Sequence, residues 1–394
     1  MRKSILYFIL PAMVLVFAAS CEKDDSDFSQ YKLIDGTDDD DDSGEDPDEP
    51  MTSASDTIYI AWNGASVNVT GDTDGYVSVS GADVTVNTGE DADSLMLVLS
   101  GTTDDGSLLV NRSKKYTILL NGVSITNADG PAINNQCSKA LYMVCADGTT
   151  NTLTDGTAYA DRSYQQKGAL FSEGQTYFSG AGTLNVYGNC KNAIACDDYI
   201  TIEGDITINT VTSDTGSNGI KANDGMYING GTLKIKVVSD GGRGIRCDSY
   251  VNITGGNTTI TTSGDCVIEK NAEGVADTTS AAGIKCDSLF SMSGGSLTIS
   301  SSGDGGKGIR CDQNVEFSGG TLVVKTTGDN DVSKPKGIKS DTGIIVSGGS
   351  FSVSVNKSWA CDNGSESEIP SAQLTVLGTP ASSLIEKKKV VITY

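Results

Sequence analysis

The chain contains a repeated stretch, GIKCDSLFSMSGGSLTISSSGD, at residues 283–304. The next copy, GIRCDQNVEFSGGTLVVKTTGD, follows almost at once, at residues 308–329. Further copies, some of them less regular, begin at Gly219, Gly244 and Gly337. A period in the twenties is typical of stacked repeat proteins, in which a unit buries its apolar face only against its neighbours.

Each repeat holds three short runs in which apolar and polar residues alternate, as they do in half-buried strands. In the quoted copy these runs are residues 284–286, 290–292 and 297–299, separated by Asp-Ser and Gly-Gly turns. A leucine-rich repeat would need a Leu and Asn framework, and a propeller blade would need roughly 40–45 residues. The sequence therefore predicts an all-β fold, a parallel β-helix with three strands per coil of about 25 residues.

In such a fold, equivalent residues of successive coils stack about 4.8 Å apart, so each position of the repeat becomes a column. One inward column is apolar and holds Ile220, Ile245, Ile284, Ile309 and Ile338. Two residues later a second inward column holds Cys196, Ala222, Cys247, Cys286, Cys311, Ser340 and Cys361. Between them an outward column holds Lys221, Arg246, Lys285, Arg310 and Lys339. The following turn holds Asp197, Asn223, Asp248, Asp287, Asp312, Asp341 and Asp362.

The 394-residue chain has no His and a formal net charge of −23. That balance argues against nucleic acid as a partner, because nucleic-acid binding requires a basic face. The 47 glycines and the few aromatic residues suit a turn-rich β-solenoid with small side chains.

The N-terminus has the features of a secretion signal. A basic pair, Arg2-Lys3, precedes an apolar run and the small residues before Cys21, which predicts a signal peptide at residues 1–20. Cys21 then becomes the lipidated residue of a bacterial lipoprotein; an ordinary signal peptide with an incidental Cys is the alternative. Acidic residues after Cys21 resemble a surface-export tag, so we expect an outer-membrane lipoprotein exposed at the cell surface, with membrane contact through its lipid only. Residues 21–55 are acidic and predict a disordered tether.

The remaining chain is predicted to form one domain, a β-helix at residues 56–373 with a C-terminal cap at 374–394. Two coils carry extra residues, at 266–282 and 331–336, and both insertions should overhang the same corner. Nine Cys remain after Cys21. Because the Cβ vectors of stacked Cys run parallel, we expect free thiols in the core, with disulfides along the column as the alternative.

The outward columns supply the candidate site residues. The candidate carbohydrate-binding cations are Arg246, Lys285, Arg310 and Lys339. Two Asp columns, one after the first strand and one after the third, supply the candidate metal ligands Asp248, Asp287, Asp312, Asp341, Asp265, Asp304 and Asp329. Calcium takes about 6–8 oxygen ligands, so a calcium site between the columns is one hypothesis. The alternative is a structural ladder of salt bridges, in which cations and carboxylates neutralise one another.

A row of cations beside calcium suits a linear polyanion such as a uronic-acid polysaccharide. Exposed aromatic columns would suit cellulose better, but Trp62 and Trp359 lie in no repeated column. The sequence therefore favours a charged plant or host glycan as the partner.

The repeated Gly-Ile-Lys/Arg-x-Asp with its Ser-Gly-Gly turn, together with LNGVSI at 120–125 and GPAI at 130–133, carries a family resemblance. From about Thr57 onward the chain resembles a cell-surface carbohydrate-binding β-helix family of bacteria, distantly similar to the family 9 polysaccharide lyases. The resemblance implies a right-handed parallel β-helix, bound calcium, and affinity for plant cell-wall polysaccharides, including acidic ones. The related lyases use calcium and a Lys base for β-elimination.

Lys285 and Lys339 are the candidates for such a base, since each lies beside Asp residues and an insertion. The cation column is shared by five coils, however, and catalysis normally needs one distinct constellation. We therefore predict a monomeric, non-catalytic protein that binds polysaccharide with calcium. A calcium-dependent polysaccharide lyase and a structural surface protein or adhesin are the alternatives.

Overall fold

The computed structural model describes residues 56–88, 94–270, 276–362, 373–384 and 387–394. The predicted signal peptide (1–20), the lipidation site Cys21 and the acidic tether (21–55) lie outside these residues and stay predictions. Within the described ranges, no helix has the length and apolar character needed to cross a membrane.

The described residues form strands throughout, with one 3-10 turn at Ser382–Leu384. In chain order the strands are β1 (Asp56–Asn63), β2 (Ser66–Thr70), β3 (Val77–Ser80), β4 (Asp83–Asn87), β5 (Leu95–Thr103), β6 (Ser107–Asn111), β7 (Tyr116–Thr126), β8 (Ile133–Asn135), β9 (Leu141–Cys145), β10 (Thr150–Thr154), β11 (Gly168–Ser172), β12 (Thr176–Gly180), β13 (Thr183–Gly188), β14 (Asn192–Cys196), β15 (Tyr199–Ile202), β16 (Thr207–Thr212), β17 (Ile220–Ala222), β18 (Gly225–Ile228), β19 (Thr232–Val237), β20 (Arg243–Cys247), β21 (Tyr250–Ile253), β22 (Asn257–Thr262), β23 (Val267–Lys270), β24 (Ala276–Thr279), β25 (Ala282–Cys286), β26 (Phe290–Met292), β27 (Ser296–Ser301), β28 (Lys307–Cys311), β29 (Val315–Phe317), β30 (Thr321–Thr326), β31 (Lys336–Ser340), β32 (Gly343–Val346), β33 (Ser350–Val355), β34 (Cys361–Asp362), β35 (Gln373–Val376), β36 (Thr379–Pro380) and β37 (Lys389–Thr393).

Most of these strands stack in parallel on three faces of a solenoid. The first face is a 12-stranded sheet that runs from β3 to β34 and contains the Gly-Ile-Lys/Arg strands β17, β20, β25, β28 and β31. The second face contains β9, β12, β15, β18, β21, β26, β29, β32 and β35. The third face contains β10, β13, β16, β19, β22, β27, β30 and β33. The long strands β5 and β7 contribute to both the second and the third face. The predicted all-β parallel β-helix with three strands per coil is confirmed.

Alternation within each strand places one set of side chains in the core. On the first face Ile245, Ile284, Ile309 and Ile338 are fully buried and aligned across β20, β25, β28 and β31. Each buried Ile side chain contributes about 1.5–3 kcal/mol through removal from water. Because a single coil cannot cover this face, the stacking of neighbours supplies the burial.

The glycine that opens each repeat lets the first and third faces approach closely. A Cβ on Gly283 would lie 2.3 Å from Ile299 Cγ2 and 2.7 Å from the carbonyl oxygen of Gly308. Gly244 and Gly308 meet the third face in the same way. The repeat therefore keeps Gly at this position for packing, whereas Gly295 in the Gly-Gly turn is needed for its positive φ of 71°.

The cysteine column is confirmed in its middle and wrong at its end. Cys196, Ala222, Cys247, Cys286, Cys311 and Ser340 are aligned across the first face. Cys361 instead aligns with Ile338, and Asp362 aligns with the outward Lys339. The last strand enters the sheet two residues out of the repeat register, since the Gly337 amide donates to the Trp359 carbonyl and the Ile338 amide to the Ala360 carbonyl.

All nine described cysteines are free thiols, as predicted. Burial raises the pKa of Cys196 and Cys361 to about 12 and that of Cys247 to about 11. Such thiols stay protonated and pack as small hydrophobic side chains.

The two ends of the solenoid are closed by antiparallel pairs. At the N-terminal end β1 pairs with β2, and β3 pairs with β4. At the C-terminal end β35 extends the second face in parallel, and β37 turns back along β33. These pairs occupy strand edges that would otherwise be open to another chain.

Candidate functional site

The outward cations of the first face form one column, as predicted. The register aligns Lys221, Arg246, Lys285, Arg310 and Lys339 on adjacent strands. Their neighbours on either side in sequence, such as Ile284 and Cys286 around Lys285, are fully buried. The pleat therefore directs the cations to the outer side of the sheet, although Lys285 is only 8% exposed there.

Aspartates of the following turn pair these cations between coils. Arg246 holds Asp287 of the next coil through two hydrogen bonds of 2.7 and 2.9 Å, and it contacts Asp248 of its own coil at 2.7 Å. Lys285 Nζ lies 2.6 Å from carboxylate oxygens of both Asp287 and Asp312. The centre of the column is thus a salt-bridge ladder, the structural arrangement that the sequence left open.

Asp287 lies at the centre of this ladder. Burial by itself would raise the pKa of its carboxyl, but hydrogen bonds from Arg246 and Lys285 outweigh burial and lower that pKa to about 2. A carboxylate held by two cations stays ionised at any physiological pH.

The ends of the ladder are paired more loosely. Lys221 lies 3.3 Å from Asp248, and Lys339 lies 3.8 Å from Asp341. Arg310 Nε lies 3.6 Å from Asp312 Oδ1, and both atoms are buried without a hydrogen-bond partner in the described part of the chain. The side chains of Arg310 and Lys339 are nevertheless about one-third exposed, so these are the candidate cations at which a ligand would displace the weakest ion pairs.

The second Asp column, after the third strand, forms a different ladder. The amide of Asp265 donates to the Asp240 carboxylate at 2.8 Å. The amides of Asp304 and Asp329 donate in the same way to Asp265 and Asp304, each at 2.7 Å. Each exposed carboxylate thus binds the backbone of the next coil, which explains a repeated Asp without any metal.

The two Asp columns do not converge on one point. Across residues 56–88, 94–270, 276–362, 373–384 and 387–394, no group of three or more His, Cys, Asp or Glu could together hold a metal ion. The carboxylates instead bind cations or backbone amides, so this donor set does not fit the six to eight oxygens of calcium. Calcium binding stays a prediction.

The two insertions meet at one corner, as predicted. Within the insertion at 266–282, β23 pairs antiparallel with β24, and Ser280 Oγ lies 3.0 Å from Ser333 Oγ of the other insertion. Lys307, which is 5% exposed, lies beneath them. Its ammonium donates to the carbonyls of Gly305 (2.8 Å) and Lys334 (2.7 Å). Burial lowers the pKa of Lys307 to about 7.

Lys336 forms a second buried contact on the same face. Its Nζ lies 2.7 Å from Asp362, with both side chains 7% exposed, and 4.2 Å from the centre of the Trp359 ring. The repeat pattern predicts Asp362 in the turn column; this prediction is wrong, because the shifted register of β34 brings Asp362 to Lys336. This ion pair closes the charged face at the C-terminal end.

The second face carries tyrosines that the sequence analysis missed. Five consecutive coils each hold one: Tyr142, Tyr177, Tyr199, Tyr227 and Tyr250. They occupy two positions of the repeat that are offset by two residues, so they form no single column in the sequence. Trp62, by contrast, is buried and donates to the Ala82 carbonyl.

The solenoid with its repeated outward polar and aromatic side chains is similar to known carbohydrate-binding proteins. A family model described as "Carbohydrate-binding domain-containing protein" matches residues 80–268 and 235–331, well over half of the chain. The chain belongs to this carbohydrate-binding family. The matched region contains the salt-bridge ladder up to Arg310 and all five tyrosines of the second face.

A relative from Acetivibrio thermocellus, also described as a carbohydrate-binding domain-containing protein, is 31% identical over 114 residues. The aligned part is 28% of this chain and 40% of that relative, so the chain spans less than half of the relative's length. The solved structure of the polysaccharide lyase-like protein from C. thermocellum, a gadolinium derivative, matches with a TM-score of 0.53 and 26% identity. That match covers 66% of this chain and 97% of the other. The resemblance drawn from the repeats is confirmed as one to a carbohydrate-binding, polysaccharide lyase-like family.

Proposed function

We propose that this protein is a non-catalytic polysaccharide-binding lipoprotein of the bacterial cell surface, anchored through Cys21 and extended by its acidic tether. The observation that carries the proposal is the carbohydrate-binding family match across the regular coils. Those coils present outward side chains at the strand spacing of about 4.8 Å. A linear polysaccharide presents hydroxyl groups at a regular spacing too, so an extended solenoid face suits it better than a compact cavity would.

The geometry of Lys285, one of the two predicted bases, supports a non-catalytic role. A base for β-elimination must offer a free amine to the proton next to the uronate carboxyl. The Lys285 ammonium instead lies 2.6 Å from two carboxylates, those of Asp287 and Asp312. Arg246 on the preceding coil is held by two carboxylates in the same way, which is the arrangement of a structural ladder. Lys339, the other predicted base, is paired only loosely, 3.8 Å from Asp341.

We propose that acidic glycans contact the loosely paired end of the cation column, at Arg310 and Lys339. A uronate there would replace ion pairs of 3.6 and 3.8 Å, whereas at Arg246 it would have to displace a bidentate pair. Bidentate Arg–carboxylate pairs are the stronger ones. The Asp columns do not fit calcium, so the proposed glycan contact at Arg310 and Lys339 includes no calcium ion. The gadolinium in the related structure is a reason to test binding with and without calcium.

Affinity electrophoresis of the purified protein through gels that contain polygalacturonate or a neutral β-glucan tests the proposal. We expect retardation by at least one polysaccharide, with no growth in the ultraviolet absorbance of unsaturated uronides. R310A/K339A should lose polygalacturonate retardation, and Lys234→Ala, a third-face cation, should keep it. Each gel is run with calcium and with a chelator. Migration unchanged by every glycan would refute polysaccharide binding and favour the adhesin or structural reading.

Lyase activity on an acidic polysaccharide is the second candidate function, and the lowered pKa of Lys307 favours it. Its pKa of about 7 would leave part of the population as a free amine at neutral pH. It is buried beneath the insertion at 331–336, however, and a substrate would reach it only if that segment moved. Unsaturated uronides that form with the wild type and not with Lys307→Gln would establish the lyase and overturn the non-catalytic proposal.

A further inference from the structure

The second face carries a tyrosine cluster, Tyr199, Tyr227 and Tyr250, on three consecutive strands, β15, β18 and β21. All three side chains are partly exposed. The preceding coils continue the row with Tyr177 and Tyr142, whose rings stack at 4.8 Å with only 9° between their planes. From Tyr142 to Tyr250 the row spans four strand spacings, about 19 Å.

The three rings of the cluster contact one another. The Tyr227 and Tyr250 ring centres lie 5.3 Å apart in an edge-to-face arrangement, and their hydroxyls are hydrogen-bonded. Tyr199 lies 6.3 Å from Tyr227 and 6.2 Å from Tyr250. Aromatic pairs at these separations are favourable beyond their buried area, so the cluster is preorganised before any ligand binds.

A glycine makes room for the cluster. Gly225 lies between Tyr199 and Tyr250 in the register of the second face. A Cβ at Gly225 would come within 2.6 Å of Tyr250 Cζ, because the Tyr250 ring lies over the bare backbone. The Tyr250 ring thus lies across the backbone of Gly225 and stays partly exposed.

The charge around the cluster selects the kind of ligand. Asp198 directly precedes Tyr199, and its carboxylate accepts a hydrogen bond from the Tyr199 amide at 2.8 Å. Asp224 directly precedes Gly225, which is aligned with Tyr199 on the neighbouring strand. Burial, and the charges of these two carboxylates, raise the pKa of Tyr199. They would repel the carboxylates of a uronic-acid chain. A neutral pyranose chain carries no such charge, and its apolar ring faces can stack on tyrosine while its hydroxyls bond to the phenols.

We propose that the tyrosine cluster is a binding site for a neutral linear polysaccharide, separate from the charged first face. The proposal rests on the proposed polysaccharide-binding function and names the face and the chemical class of one ligand. The cluster covers two strand spacings, about 10 Å, which is the length of about two sugar units. The matched family region includes all three tyrosines.

The test is affinity electrophoresis of the purified protein in hydroxyethyl cellulose, in mixed-linkage β-glucan and in polygalacturonate. Y199A/Y227A should bind the neutral glucans at least about tenfold more weakly, since tyrosines at the centre of a site dominate affinity. Tyr227→Phe, which keeps the ring, should retain most of the binding. The matched control is Tyr187→Ala on the third face, where the tyrosine is 41% exposed. Thermal melting checks that each variant is folded.

Loss of neutral-glucan binding in Y199A/Y227A, with Tyr187→Ala and polygalacturonate binding unchanged, supports the cluster as the site. Equal losses in Tyr187→Ala, or none in Y199A/Y227A, would overturn the inference. A wild type that binds polygalacturonate alone would also overturn it while leaving the proposed function intact. A wild type that binds none of the three polymers would overturn both.

Discussion

Asp287→Asn is the most direct perturbation of the salt-bridge ladder. The substitution keeps the size of the side chain and removes the charge that Arg246 and Lys285 share. Each cation keeps a second partner, Asp248 for Arg246 and Asp312 for Lys285. The ladder should therefore weaken at its centre without leaving a buried charge wholly unpaired.

The size of the effect follows from the pKa of Asp287. A decrease from 3.8 to about 2 corresponds to at most about 2.4 kcal/mol in the free energy of unfolding at neutral pH. Because the side chain is 34% exposed, solvent screening reduces this figure, and we expect a loss of about 1 kcal/mol. A folded-state pKa below the unfolded one stabilises the protein above about pH 4, and this contribution is lost as the pH falls through 2.

Urea denaturation of the wild type and of Asp287→Asn at pH 7, 4 and 2.5 measures the difference directly. Asp214→Asn, which removes one exposed carboxylate elsewhere on the solenoid, is the matched control and should change stability by less than about 0.5 kcal/mol. The difference for Asp287→Asn should shrink as the pH falls toward 2. A loss that matched the control at pH 7, or one independent of pH, would refute the ladder as a stabilising network.

Three further outcomes are expected. Gly283→Ala should lower the free energy of unfolding by about 2–3 kcal/mol, because the new Cβ would strike Ile299 and the carbonyl of Gly308. The double variant I299A/G283A should lose less free energy of unfolding than the sum of the two single variants. The free energy of unfolding of the wild type should rise by about 1–2 kcal/mol between pH 7 and 8.5, since the unfolded chain keeps the proton of Lys307 that the folded chain releases. Lys307→Met should remove this pH dependence, and Lys234→Met should leave it unchanged. Above pH 9 stability should fall, because the buried thiols, with pKa values near 11–12, stay protonated only in the folded state.

These outcomes are checked by urea titrations, with melting scans across pH for the last two. An additive I299A/G283A variant would mean that the two residues do not compete for one space. A pH slope that persists in Lys307→Met would assign it to another group. Stability that keeps rising above pH 9 would contradict burial of the thiols.

Much of the fold followed from local pattern. The alternation around Ile284 and Cys286, the Gly-Gly turns and the repeat length predict three strands per coil, and the structure has them. The predicted register is wrong at the last strand, where the repeat becomes irregular. Backbone hydrogen bonds from Gly337 and Ile338 set the two-residue shift of β34, and no sequence pattern near Cys361 indicates it. The third-strand Asp column was seen in the sequence, but its role in binding the next amide was not.

The coil, the alignment of the five cations and the inward columns as far as Ser340 follow from local sequence pattern, because strand alternation is local and stacking repeats it along the axis. Which carboxylate each cation holds depends on the three-dimensional arrangement, since Lys and Arg side chains are long enough to reach either of two coils. The tertiary structure also brought Tyr199, Tyr227 and Tyr250 together. They occupy two different positions of the repeat, and their contact depends on a ring lying over the bare backbone of Gly225, which no periodicity reveals.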